Sequence, residues 1–326
     1  MTVTIVIVNY QTYQDTIDCV KSLLKSETNV DYDIFVIENC SPNDSYAQLL
    51  FLEDMNNLNG IKCVHIIKAN ENNGYCAGNN VGIKLALEKK SDFIWILNPD
   101  TLVESGTLQT LVEFAKSHEN AGLVGNRLVY YPDTDLLQAL GGGYFGRNKF
   151  GALAPKPHLY YLCNSKMNLP DEVELDLLIG ASMLVRCEVF EKIGLMNEKF
   201  FMYSDENEFC IRAKQAGFSI LATSKATVYH KEGYRKSEQK LSTHYYGTRN
   251  VLYMIKELYP KNIFFRWIME LYGTFRAFCS GIVTGDFRHF KLKILAFHDY
   301  RKKIYGRIDI SSILNSFPTQ KVKDGK

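Results

Sequence analysis

The sequence predicts an α/β protein: a mostly parallel sheet of the nucleotide-binding type, flanked by helices and followed by a C-terminal helical appendage. Three observations predict it. Residues 3 to 100 alternate between strand-type and helix-type apolar patterns separated by polar turns, which implies repeated β-α units with right-handed crossovers. The run Phe93-Ile94-Trp95-Ile96-Leu97-Asn98-Pro99-Asp100 passes abruptly from apolar residues to an amide, a proline and a carboxylate, as a buried parallel strand does where its C-terminal end opens into a polar site. After His230 the composition turns basic and aromatic. That change divides the chain near residue 235 into a first domain, 1–235, and a helical region, 236–326.

Taken in order, Val3 to Val8 reads as the first strand and about Thr12 to Leu24 as the first helix. Ile34 to Glu38 is the second strand, Ser45 to Met55 a helix, Val64 to Ile67 the third strand, Gly78 to Glu88 a helix and Phe93 to Leu97 the fourth strand. From 121 to 179 short strands and loops are expected, with Pro155, Pro157 and Pro170 marking a mobile stretch. Leu177 to Val185 resumes as an apolar segment, and a further helix runs from the acids at 205–208 through Arg212 to Ala216. The string Gly141-Gly142-Gly143-Tyr144-Phe145-Gly146 matches the dinucleotide fingerprint in letters only; it follows no predicted strand and opens no helix, so it reads as a flexible loop. With no glycine in the first turn, Asn9-Tyr10-Gln11-Thr12, a nicotinamide oxidoreductase is excluded.

Composition narrows the class further. The 326 residues are 46% hydrophobic and 23% charged, ordinary globular values, and a net charge of +2 gives no reason to expect a nucleic-acid partner. The eight cysteines are scattered without a C-x-x-C pair, which argues against a zinc cluster or a disulfide framework and for reduced thiols in the cytoplasm. The N-terminal residues read as a strand start, without a basic region or cleavage site. No uncharged apolar stretch is long enough to span a bilayer. Attachment at the inner face of the cell membrane stays open.

Four polar clusters carry the chemistry. Asn9-Tyr10 and Glu38-Asn39-Cys40-Ser41 end the first two strands, where a base and ribose could sit and where ordinary turns also occur. Glu71 to Asn80 supplies two glycines and several asparagines at a helix entry, able to let a backbone approach a ligand or simply to cap the helix. Asp100 suits a hard divalent cation that takes its other ligands from water and a diphosphate, or a helix N-cap. Asp205-Glu206-Asn207-Glu208 places three acids in one helical turn, where one could serve as a general base or all could merely decorate the helix start.

With these clusters in this order the chain resembles the family 2 glycosyltransferases of the GT-A fold, in particular the bacterial rhamnosyltransferase-like group, over about residues 1 to 256. The resemblance rests on Val6-Ile7-Val8-Asn9-Tyr10, Glu38-Asn39-x-Ser41, Asn72-x-Gly74-x-x-x-Gly78-Asn79-Asn80, Leu97-Asn98-Pro99-Asp100-Thr101, Gly180-Ala181-x-Met183-Leu184-Val185-Arg186, Phe200-Phe201-Met202-Tyr203 with the acids that follow, and Val228-Tyr229-His230-Lys231-x-Gly233. It implies that Asn9, Tyr10, Glu38 and Asn80 meet the nucleotide, and that Asp100, beside Asn98 in place of the family's usual first acid, holds Mg²⁺ or Mn²⁺ with His230. It also implies a general base at Glu206, with Asp205 as the alternative, and inversion at the anomeric carbon. Glu206 stands where Asp is usual, as does Glu38, and Cys40 and Pro42 replace the common Gly and Ser.

The implied donor is a nucleotide-diphospho-sugar, dTDP-rhamnose first and a UDP-sugar second, and the implied acceptor is a hydroxyl of a saccharide or lipid-linked saccharide of the cell surface. Two other classes compete: a sugar-phosphate nucleotidyltransferase, which should carry an N-terminal Gly-rich, Arg-containing loop that this chain lacks, and a catalytically inactive sugar-binding or scaffold protein. Residues 263 to 307 interleave aromatic and basic side chains. Such helices suit an anionic membrane surface, or a second copy of the chain in a homodimer.

Overall fold

The computed structural model describes residues 1–55, 62–149, 151–231 and 241–310. Through the first half the elements are β1 (Thr2–Asn9), α1 (Tyr13–Lys25), β2 (Asp31–Glu38), α2 (Ser45–Leu49), α3 (Phe51–Asp54), β3 (Lys62–Lys68), α4 (Tyr75–Glu88), β4 (Phe93–Leu97), β5 (Thr101–Val103), α5 (Thr107–Ser117) and β6 (Ala121–Tyr130). Short strands follow: β7 (Leu137–Leu140), β8 (Gly142–Gly143), β9 (Phe145–Arg147), β10 (Leu153–Pro155), β11 (Glu172–Leu175), β12 (Leu177–Leu178) and β13 (Ser182–Arg186). After them come α6 (Cys187–Ile193), α7 (Asp205–Gln215), β14 (Ser219–His230), α8 (Leu241–Leu258), α9 (Ile263–Thr284) and α10 (Arg288–Lys302).

The main sheet has the order β11-β14-β6-β13-β4-β1-β2-β3, with β5 added to β14 and β7 to β6. Strands β3, β2, β1 and β4 run parallel, as the β-α alternation predicts. The order β3-β2-β1-β4 reverses direction at β1, so the C-terminal ends of β1 and β4 flank a crevice. Beyond β4 the sheet is mixed, because β13 pairs antiparallel with both β4 and β6. Trp95, Phe93, Ile5, Ile7 and Ile34 are fully buried in the core that these strands build with α1 and α5. On the other face α4 lies close to β1: a Cβ at Gly82 would come within 2.6 Å of Val6 Cγ1 and one at Gly78 within 2.8 Å of Val8 Cγ1. Those two glycines serve helix-to-strand packing. Gly78 therefore does not have the ligand-facing role its loop suggested in the sequence.

Two further expectations change. Ala121 to Tyr130 is one ten-residue strand at the sheet centre, where only short strands were expected. The Gly141–Gly146 segment is no loose loop: Gly142 and Gly143 are buried and pair antiparallel with Leu177 and Leu178. A Cβ on Gly142 would lie 2.2 Å from the Leu177 carbonyl oxygen, so glycine is required by the approach of two backbones.

By its internal contacts the chain forms two units, one of Met1–Phe145, Pro155–Asn197 and Glu206–Arg235, the other of Gly146–Ala154, Glu198–Asp205 and Lys236–Lys326. The second contains α8, α9 and α10, packed around Phe201, Tyr245, Tyr246, Leu292 and Ala296. Its interior also holds Arg249, fully buried and bonded to Tyr245 Oη and to the Gly306 carbonyl. No helix among the described residues is long and apolar enough to cross a membrane.

Candidate active site

The parallel register brings the predicted polar strand ends together. Asn9 lies opposite Glu38 across β1 and β2, and Ile7 opposite Leu97 across β1 and β4, so Asn98 continues the same edge. The turns after β1 and β2 are tied to each other: the Asn39 N–H donates to the Asn9 carbonyl at 2.9 Å, the Gln11 N–H to Ser41 Oγ at 2.9 Å, and the Ser41 N–H to Glu38 Oε1 at 2.8 Å. Gln11 (φ 64°) and Cys40 (φ 55°) hold left-handed backbone in these turns, strain of the sort that persists where surroundings enforce it and that gathers at ligand sites.

Two buried amide atoms at this edge lack protein partners. Asn9 accepts from Thr16 Oγ1 through its own Oδ1 at 2.8 Å, yet its Nδ2 donates to nothing, and Asn98 Oδ1 accepts from nothing. Buried polar groups are nearly always satisfied, so a donor and an acceptor are left over for a ligand or water. Tyr10, next to Asn9 in the chain, is half-buried. Asn80 is placed otherwise: its Nδ2 donates to the Met196 carbonyl at 2.9 Å and its Oδ1 accepts from the Met196 N–H at 3.1 Å. That pairing holds α4 to the segment after α6 and makes Asn80 a positioning residue. In the neighbouring loop Asn72 Oδ1 accepts from the Gly74 N–H and from Asn39 Nδ2, and Gly74 takes φ 98° to open α4.

Asp100 is followed by strand β5 and not by a helix, since α5 begins only at Thr107 after Gly106. The N-cap alternative therefore falls. The antiparallel register of β5 on β14 sets Thr101 opposite His230, and the His230 imidazole Nε2 stands 3.2 Å from Asp100 Oδ1. Gln138 on β7 lies behind it, its Oε1 2.9 Å from His230 Nδ1. Held at Nδ1 by Gln138, the ring turns its Nε2 toward the carboxylate. Burial by itself raises the Asp100 pKa, but the hydrogen bond and charge of His230, with Lys231 nearby, outweigh it and hold the carboxyl below its ordinary value.

This donor set fits Mg²⁺ or Mn²⁺. Among the described residues no group of three or more His, Cys, Asp or Glu converges on one point, and a hard cation served by one carboxylate and one imidazole would complete its shell with water and phosphate oxygens. Gln138 stands where the outer hydrogen bond to a metal-ligating histidine would come from. Gln138 and Lys231 are neighbours of the Asp100–His230 pair that sequence reasoning missed. The sole signal for Gln138 is one amide inside the run Leu136-Leu137-Gln138-Ala139-Leu140. Lys231 belongs to the Val228–Gly233 motif; its Nζ bonds Asp15 and Asp18 on α1, both at 2.8 Å, and its N–H donates to the Asp100 carbonyl. Burial lowers the Lys231 pKa, but the two carboxylates more than reverse that. Gly233 of the same motif lies outside the described residues.

The acids of α7 divide by environment. Glu208 is buried and bonds Arg212 Nε at 2.8 Å, and that guanidinium also donates to the Ile193 and Leu195 carbonyls, so Glu208 is structural. Asp205 is buried at the first position of the helix. Glu206 lines a cavity of about 280 Å³ with Gly142, Gly143, Lys156, His158 and Leu178. Across from it, a Cβ at Gly180 would lie 3.8 Å from Glu206 Cγ, and Tyr75 Oη donates to the Gly180 carbonyl at 2.8 Å. Two left-handed residues, Tyr203 (φ 66°) and Ser204 (φ 65°), precede the helix. Asn250 of α8 donates to the Met202 and Tyr203 carbonyls at 2.8 and 3.0 Å and fixes that turn.

Residues 4–194, more than half of the chain, match the family described as glycosyl transferase family 2. The low-salt glycan biosynthesis hexosyltransferase Agl10 of Haloferax volcanii is 28% identical over 66% of this chain and 62% of its own length. The dTDP-rhamnosyl transferase RfbF of Shigella flexneri is 26% identical over 49% of each. The chain thus spans between about half and three fifths of these relatives. Among solved structures, GalNAc-T7 with UDP, GalNAc and Mn²⁺ superposes with a TM-score of 0.61 at 14% identity, over 98% of this chain and 58% of that one. The fold is GT-A.

Proposed function

This chain belongs to glycosyl transferase family 2, and on that premise we propose that it is an inverting, metal-dependent glycosyltransferase. It moves a sugar from a nucleotide-diphospho-sugar to a hydroxyl of a growing cell-surface saccharide or lipid-linked saccharide. The observation that carries the reading is the Asp100–His230 pair, 3.2 Å apart at the crevice edge, with Gln138 holding the imidazole so that Nε2 and Oδ1 face each other. Asp100 and His230 would hold Mg²⁺ or Mn²⁺, which supplies charge neutralisation of the leaving diphosphate.

The chain's own residues do the rest. The unpartnered Asn9 Nδ2 and Asn98 Oδ1, with Tyr10 next to Asn9 in the chain and Glu38 shaping the second turn, bind and orient the donor. Asn80 holds the α4 wall in place. The Glu206 carboxylate, in its cavity, takes the proton of the acceptor hydroxyl while that oxygen bonds to the anomeric carbon and the bond from that carbon to the diphosphate oxygen breaks. Attack from the face opposite the leaving group inverts the centre. Rhamnose from dTDP is the favoured donor, supported by the similarity to RfbF, with UDP-sugars second.

A thermal-shift panel of dTDP- and UDP-sugars, each with and without Mn²⁺, tests the reading. One donor should raise the unfolding temperature only with metal present. Stabilisation by none of them would overturn it in favour of a non-catalytic sugar-binding protein.

A further inference from the structure

Helix α9 is inside out. Its buried face carries Glu270 and Thr274, and Glu270 is bonded to Lys293, to Thr248 and to Arg266. Its outward face carries Phe264, Ile268, Leu271, Phe275, Phe278 and Ile282, at alternating steps of four and three residues that make a single stripe. These side chains are well exposed, Phe264 at 67%, Phe275 at 62% and Ile282 at 63%. A globular helix normally buries its apolar stripe, and a contiguous exposed one marks an interaction surface.

Charge decides what covers it. Between residues 263 and 307, Arg276, Arg301, Lys302, Lys303 and Arg307 are exposed, whereas Glu270 and Asp299 are buried and Asp286 is half-buried and paired with Arg288. The cations adjoin the apolar surface: Trp267, Leu271 and Ile294 wall a groove of about 600 Å³ rimmed by His298, Arg301 and Lys302. An apolar stripe bordered by cations, in a segment (263–307) whose one partly exposed carboxylate, Asp286, is paired with Arg288, would repel a second copy of itself and complements a surface of phosphates above hydrocarbon. We infer that α9 and α10 form an in-plane docking surface for an anionic lipid bilayer: the α9 stripe inserts among acyl chains, and Arg301 and Lys302 take lipid phosphates at the rim of the groove. This inference does not depend on the catalytic reading.

Co-sedimentation of the full chain with vesicles tests it. Vesicles of phosphatidylcholine mixed with phosphatidylglycerol should bind the protein, those of phosphatidylcholine alone should bind it at least about tenfold less, and added salt should weaken binding. The double variant Phe275→Asn/Ile282→Asn should lose at least about tenfold in vesicle affinity while its unfolding midpoint stays that of the wild type, both positions being exposed. Arg301→Gln/Lys302→Gln should lose a similar factor and show a shallower salt dependence. Equal binding to neutral and anionic vesicles, or undiminished binding by the Phe275/Ile282 variant, would overturn the inference. So would a stable dimer in vesicle-free buffer that this variant dissociates, since a second copy would then own the face.

Discussion

Asp100 and His230 are read through one another. The Asp100 carboxyl is held below its ordinary pKa in the folded chain, so its ionised form contributes stability that is fully present above the unfolded-state value and is lost as pH falls through the lower, folded value. Asp100→Asn should accordingly unfold at lower denaturant than the wild type near neutral pH, and the two should converge in acid; urea melts over a pH series check this. A gap that persists or widens in acid would show that the carboxylate is not what stabilises the pair. Glu206→Gln should reduce turnover by about a hundredfold to ten-thousandfold with donor affinity retained. Asp205→Asn should cost turnover far less, because Asp205 is buried while Glu206 lines the cavity. If the two costs are reversed in steady-state assays, the base is Asp205.

Single elements depend on close approaches that can be broken one at a time. Gly82→Ala gains up to about 1 kcal/mol of helix propensity but sets a methyl 2.6 Å from Val6 Cγ1, on a stiff β-branched side chain at the sheet centre. Overpacking of that kind costs about 1–3 kcal/mol, so the variant should be less stable in urea, and adding Val6→Ala should recover part of the loss. The turn before α7 offers a functional counterpart. Asn250→Ala removes the two hydrogen bonds that fix Met202 and Tyr203, and small misplacements of a reacting group cost up to about a hundredfold. kcat should fall while the donor KM holds. An unchanged kcat would show that the left-handed pair at 203 and 204 is held well enough without α8. Why some elements were legible in the sequence and others not follows from the range of the forces involved. Strands β1 to β4 and helices α1 and α4 declare themselves because apolar spacing is local. The pairing of Gly142 with Leu178, the bond of Gln138 to His230 and the claim of Met196 on Asn80 join residues distant in sequence, and no periodicity records them. Asn80 therefore looked like a ligand contact when it is an anchor.

At the scale of the whole molecule, chain order and sheet order together make the site. Motifs in the sequence named Asn9, Glu38, Asn98 and Asp100 correctly as strand-end residues, because a parallel sheet puts such ends on one edge. That His230 would reach Asp100 required the antiparallel addition of β5 to β14, which no local pattern foretells. The reversed polarity of α9 was likewise hidden, since an aromatic and basic composition does not say which face turns outward. On the proposed function, this edge binds the diphosphate end of a donor through Asp100 and His230. Isothermal titration of dTDP into wild type, Asp100→Ala and His230→Ala, with and without Mn²⁺, tests it most directly. The expected result is tight binding by the wild type only when Mn²⁺ is present, weakened at least about tenfold in each variant, a loss of about 1.4 kcal/mol; metal-independent binding of equal strength in all three proteins would contradict it.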